Sequence, residues 1–165
     1  MRHSVIFIFS LFVSFTAVSQ SKVDNILQFN YIASSGGGNG SVVGLKYIAS
    51  LPVGQNFTAG AGIGHDLWFD NRVKTFHFSS ILADVRYYFK GNEMGSNFFA
   101  TPGYAVKVSD GSSSGFNLNT GLGSKIPLND QQKLMVGLGF AFHNVNDEAF
   151  KRNFRGVTFN LGIVL

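Results

Sequence analysis

The chain contains no cysteine. That excludes a disulfide framework, a thiolate metal site and a lipid-modified cysteine anchor. Charge is scarce as well. Asp, Glu, Lys and Arg make up 13% of the residues, about half of the ~25% usual in soluble domains. After residue 19 no stretch approaches the ~20 apolar residues of a membrane-spanning helix. No segment of useful length carries helical periodicity. The Lys and Arg residues are scattered and the net charge is only +4, so no nucleic-acid footprint is present. What the chain does have is glycine, 20 residues of 165, and aromatics, 15% with 18 Phe. Such a chain is too apolar for disorder, and its length is that of one domain.

The N-terminus reads as an export signal. Met1-Arg2-His3 is a short basic start, and Val5 to Phe15 is an apolar run. Ala17-Val18-Ser19 is a small-x-small cleavage site. The run is too short to span a bilayer, and polar residues from Gln20 to Asp24 end it. The expected organisation is a signal peptide over 1–19 and one domain over 20–165.

That domain alternates with a period of two, the strand signal. Eight strands are predicted, at 25–34, 42–51, 57–66, 76–89, 98–108, 116–126, 133–143 and 156–165. Most have the length of a tilted strand crossing a membrane. The connectors Pro52–Asn56, Lys90–Asn97 and Leu128–Gln132 follow the second, fourth and sixth strands. Ser35–Ser41, Phe69–Thr75, Ser109–Gly115 and Asn144–Arg155 follow the first, third, fifth and seventh. An up-and-down meander places the two groups at opposite ends.

The two faces of these strands differ in kind. One face carries series such as Leu27, Phe29, Tyr31, Ala33 and Val85, Tyr87, Phe89. It has no Asp, Glu, Lys, Arg or Gly, and its polar members are His65, His77, Ser79, Thr120 and Ser124. The other face carries Gln28, Asn30, Lys46, Thr58, Asp84, Arg86, Thr101, Lys107, Asn117, Asn119, Lys125, His143, Thr158 and Asn160. Ten glycines share it, among them Gly44, Gly103 and Gly139. A soluble outer face should be rich in Lys and Glu. Gly and Asn instead suit a crowded interior, and the greasy face suits lipid. In lipid every backbone group must be paired, so the sheet must close. The expected fold is all-β, an eight-stranded antiparallel up-and-down transmembrane β-barrel. Aromatic girdles are expected at Phe57, Tyr87, Phe89 and Phe98 on one rim. On the other they are expected at Trp68, Phe69, Phe76, Phe116, Phe142 and Phe154.

The signal end at Ala17-Val18-Ser19, the hairpin rhythm and the final amphipathic strand Gly156–Leu165 resemble small eight-stranded outer-membrane barrels. The likeness is to the OmpX and OmpA-transmembrane type, and closest to the compact porin-like barrels of Bacteroidota. It implies location in a Gram-negative outer membrane among lipid and lipopolysaccharide. It also implies a monomer inserted by the barrel-assembly machinery, which reads the last strand. The pattern is specific for fold and silent on activity.

An eight-stranded barrel is just wide enough for side chains to fill it. Lys46, Asp84, Arg86, Lys107 and Lys125 are expected to point inward as a network centred on Asp84 and Arg86, with Lys46 or Lys125 beside Asp84. Buried charges must pair, so a structural role is preferred. Four bases against one acid would also suit a narrow anion-tolerant channel. The histidines at 65, 77 and 143 show no metal-ligand spacing, and no metal, cofactor or catalysis is predicted. His77 and Ser79 look like the His-x-Ser of outer-membrane lipid A deacylases, but the next residue is Ser80 where that family has Asn. The longest loop, Asn144–Arg155, offers Asp147, Glu148, Phe150, Lys151, Arg152 and Arg155 as a binding surface. The readings left open are a structural or interaction barrel, a narrow channel, a lipid A-modifying hydrolase, and a soluble exported ligand-binding barrel.

Overall fold

The computed structural model describes residues 23–34, 40–70, 75–91, 95–108, 113–146 and 151–165. The expected signal peptide, 1–19, lies outside them. Eight strands form: β1 Asp24–Ser34, β2 Gly40–Pro52, β3 Phe57–Asp70, β4 Thr75–Tyr88, β5 Gly95–Lys107, β6 Ser114–Pro127, β7 Lys133–Asn146 and β8 Lys151–Val164. Each pairs antiparallel with its neighbours in the chain, and β1 pairs with β8, so the sheet is a closed up-and-down barrel. Closure removes the sheet edges that an open meander would expose.

The ladder does not close flat. From Asp24 the partners run to Ser50, Gly60 and Asp84. The register crosses to Thr101 between the pairs Leu82–Gly103 and Val85–Ala100. It continues through Asn119, Ala141 and Gly156 and returns to β1 at Ser34, ten residues beyond its start. A stagger of this kind obliges the strands to tilt, typically about 35–45° from the barrel axis.

Side-chain alternation follows the expected phase. No member of the apolar outward series is buried; Ile63 and Ile81 are 63% and 67% exposed. The inward polar set is buried except for Lys107, which is half-exposed. The β2–β3, β4–β5 and β6–β7 connections sit at one end. Val53 N–H donates to the Phe57 carbonyl at 2.7 Å and Leu128 N–H to the Gln132 carbonyl at 2.9 Å. Gly54 takes φ +84° in the first of these turns, a conformation that costs other residues about 1–2 kcal/mol.

The other end differs from expectation in two ways. First, Asn144–Arg155 is not one long loop. β7 runs on to Asn146 and β8 begins at Lys151, with pairs His143–Phe154, Asn144–Asn153, Val145–Arg152 and Asn146–Lys151. Ladder hydrogen bonds need no apolar side chains, so pairing continues past the point where the pattern turns polar. Of the expected loop surface, Asp147, Glu148 and Phe150 lie outside the described residues. Lys151, Arg152 and Arg155 stand on β8, and Arg155 lies 5.4 Å from the Phe142 ring centroid. Second, Trp68, Phe76 and Phe154 do not join the outer girdle. β3 extends to Asp70, so Trp68 keeps the inward phase of Thr58 and Asp66 and is 6% exposed. Its ring meets Phe78 at 4.5 Å, His143 at 5.2 Å and Phe154 at 5.3 Å. Phe76 and Phe154 pack against this cluster, which Ile32, Val42, Ala105 and Ala141 complete.

Candidate functional site

Two groupings concentrate polar chemistry: the barrel interior, and a small cluster on the outer wall of β3 and β4.

In the interior, Asp84 and Arg86 are two apart on β4 and share the inward face. Arg86 Nε donates to Asp84 Oδ2 at 2.6 Å and Nη2 to Oδ1 at 3.2 Å. Thr101 Oγ1 donates to Asp84 Oδ1 at 2.7 Å. Arg86 Nη2 also donates to Gln28 Oε1 at 3.1 Å, and Gln28 Nε2 to Asn160 Oδ1 at 3.3 Å. Asn119 Nδ2 donates to the same Asn160 oxygen at 3.0 Å. One network therefore ties β4, β5, β1, β8 and β6 across the lumen. The guanidinium is also 5.9 Å from the Phe99 ring centroid. A cavity of about 10 Å³ beside Arg86, Phe99, Met135 and Asn160 is the space these side chains leave. That is room for about one water.

Neither lysine expected beside Asp84 bonds it. Lys125 pairs with Asp24 at 2.6 Å and lies 5.5 Å from the Tyr88 ring centroid. Lys46 is 4% exposed, with its stem over Gly64. Lys107 Nζ lies 5.0 Å from the Phe76 ring centroid, near the opposite rim. The expected excess of four bases over one acid narrows to four over three. Asp24 and Asp66 point inward with Asp84, which weakens the charge argument for an anion path. Asp66 stood at the assumed end of its strand, and Asp24 just before one. Counting phase outward from Thr58 and Gln28 finds both.

Asp66 differs from Asp84. It is 1% exposed, and neither carboxylate oxygen has a hydrogen-bond partner among the described residues. Asn30, equally buried, has no hydrogen-bond partner at either side-chain atom among the described residues. The two converge over Gly44, where any Cβ would collide with both. A buried carboxylate that accepts no hydrogen bond costs more than its amide isostere. Asp66→Asn is therefore expected to hold or raise stability, by about 1 kcal/mol. Urea unfolding in detergent micelles checks this, and a lowered midpoint contradicts it.

On the outer wall, His65 and Ser79 are direct cross-strand partners, and His77 stands two residues along β4. All three are exposed. His65 Nδ1 lies 3.1 Å from Ser79 Oγ, and His65 Nε2 lies 3.4 Å from His77 Nδ1. The sequence coupled Ser79 to His77; the structure puts His65 between them. Beside the cluster is a concavity of about 620 Å³ lined by Leu45, Tyr47, Ile63, Ile81 and Tyr104.

No family model, curated protein or solved structure matches this chain. The barrel's own geometry is what bears on its function. Two outer-wall tyrosine hydroxyls are bonded within the wall: Tyr47 Oη donates to Asn25 Oδ1 at 2.7 Å, and Tyr104 Oη pairs with Ser114 Oγ at 2.6 Å.

Proposed function

We propose that this chain is an integral outer-membrane β-barrel with a structural or interaction role, a side-chain-filled lumen and no catalysis. The observation that carries this reading is the inversion of polarity. Leu45, Ile63, Ile81, Leu122 and Leu138 face outward, while Asp84 and Arg86 are enclosed. Soluble monomers rarely expose apolar patches above a few hundred Å², whereas a lipid-embedded wall requires one. The paired outer hydroxyls support the same reading, since polar groups in an apolar surround must find partners.

The signal-like leader at 1–19 belongs to this proposal, as do the lipopolysaccharide-facing rim and insertion through β8. Phe57, Tyr87, Phe89 and Phe98 form the girdle at the short-turn rim. Phe69, Phe116 and Phe142 remain for the other.

Expression in a Gram-negative host tests the proposal. The protein is expected in the outer-membrane fraction, migrating differently on gels before and after boiling. Planar bilayers containing it are expected to show no stable openings. A monodisperse protein in detergent-free buffer overturns the membrane reading, and stepwise conductance overturns the filled lumen.

A further inference from the structure

We infer that His65 and His77 are two ligands of a site for a borderline divalent cation of the Zn²⁺, Ni²⁺ or Cu²⁺ class, with Ser79 as the positioning residue. The two histidines are 12 residues apart in the chain, a spacing that carries no metal signal. The β3–β4 hairpin makes them diagonal neighbours on one face, within reach for long side chains.

The geometry suits one ion. His65 Nε2 and His77 Nδ1 are 3.4 Å apart. Two nitrogens held about 2.0–2.1 Å from a tetrahedral ion lie roughly 3.3 Å from each other. The rings are exposed, with centroids 5.6 Å apart and planes inclined by 46°. The two nitrogens now face each other as a hydrogen-bonded pair, and both rings must turn for their lone pairs to meet at one ion. In the Nδ1–H tautomer of His65 that nitrogen donates a hydrogen bond to Ser79 Oγ, 3.1 Å away, and Nε2 is left unprotonated for the metal. Ligating histidines are commonly oriented by such a partner on the other ring nitrogen.

The donor set also selects the ion. Among the described residues no His, Cys, Asp or Glu completes a group of three. Imidazoles without carboxylates suit borderline metals and disfavour Ca²⁺ and Mg²⁺, which need oxygen ligands. The remaining positions are open to water or to an anionic oxygen, and the adjoining concavity has room for either.

A nucleophilic role for Ser79 is the competing chemistry. Acyl transfer needs hydrogen-bond donors aimed at the developing oxyanion. Here the wall's amides are engaged in the β3–β4 ladder. His65 is also oriented by an imidazole, where a carboxylate would stabilise the imidazolium. The metal reading needs neither group.

The experiment is titration of untagged, folded barrel in detergent micelles with Zn²⁺ by calorimetry and with Cu²⁺ by electron paramagnetic resonance. One ion per chain is expected, with a copper spectrum showing two nitrogen ligands. His65→Ala or His77→Ala is expected to weaken binding by more than tenfold. Ser79→Ala should weaken it by about tenfold, with Ser79→Thr restoring it. Heat-modifiable migration confirms that each variant folds. Absence of saturable binding overturns the inference, as does binding indifferent to both histidines. Labelling of metal-free protein at Ser79 by a fluorophosphonate overturns it in favour of the nucleophile.

Discussion

Replacing Arg86 with alanine is expected to destabilise the barrel by about 3–5 kcal/mol. Asp84 is fully buried, and among the described residues it takes two of its three side-chain hydrogen bonds from this guanidinium. Removing Arg86 strands a carboxylate with only Thr101 to hold it. It also frees Gln28 Oε1, the link onward to Asn160. The loss exceeds the value of the bonds themselves, because an uncompensated charge remains inside. The double variant Asp84→Leu with Arg86→Met removes both charges and fills similar volume. It should recover most of the loss, since buried pairs are often replaceable by apolar residues. Urea titration in micelles, read by the fraction of heat-modifiable species, distinguishes the cases. An Arg86→Ala midpoint equal to the parent's means that the pair does not stabilise the fold.

Gly121→Val is expected to cost about 3 kcal/mol or to prevent folding. Gly121 on β6 pairs with Gly139 on β7. A Cβ on Gly121 meets the Leu138 carbonyl oxygen and the Gly139 Cα; one on Gly139 meets the Thr120 carbonyl oxygen and the Gly121 Cα. These obstacles are backbone, so no rotamer change relieves them, and β6 and β7 must separate. Gly54→Ala provides the contrast. Its Cβ has open space within 4 Å but its φ is +84°. The expected loss there is about 1 kcal/mol, from backbone conformation alone. Parity between the two variants in the same unfolding assay would show that space at β6–β7 is not limiting.

The parts of this fold legible in the sequence are those that repeat locally. Period-two alternation marked all eight strands, and the polar connectors marked the turns. The inward positions of Lys46, Asp84, Arg86 and Lys125 followed from phase alone. Strand ends at the rim of the β3–β4 and β7–β8 connections were harder to read. At Asp66–Asp70 and Asn144–Asn146 the pattern changes character while the ladder continues, so the phase that buries Trp68 and Asp66 was cut short. Partner choice was hidden for another reason. Gln28 bonds Asn160 across 132 positions, and Lys125 bonds Asp24 across 101. Those meetings depend on the stagger, which emerges only when the ring closes. His65 lay in the outward series, yet its place between Ser79 and His77 required the register of β3 against β4.

The β1–β8 seam has a kinetic consequence. Its bonds, such as Leu165 N–H to the Asn25 carbonyl at 2.9 Å, join segments made at opposite extremes of the barrel's synthesis. Hairpins between sequential strands zip cheaply, but this suture pays a long-range entropy that local pairing never meets. Until it forms, two unsatisfied edges stay sticky toward other chains. The slow, aggregation-exposed phase of maturation should therefore be the joining of first strand to last, and a chaperone that shields β1 until β8 arrives would act where the hazard lies.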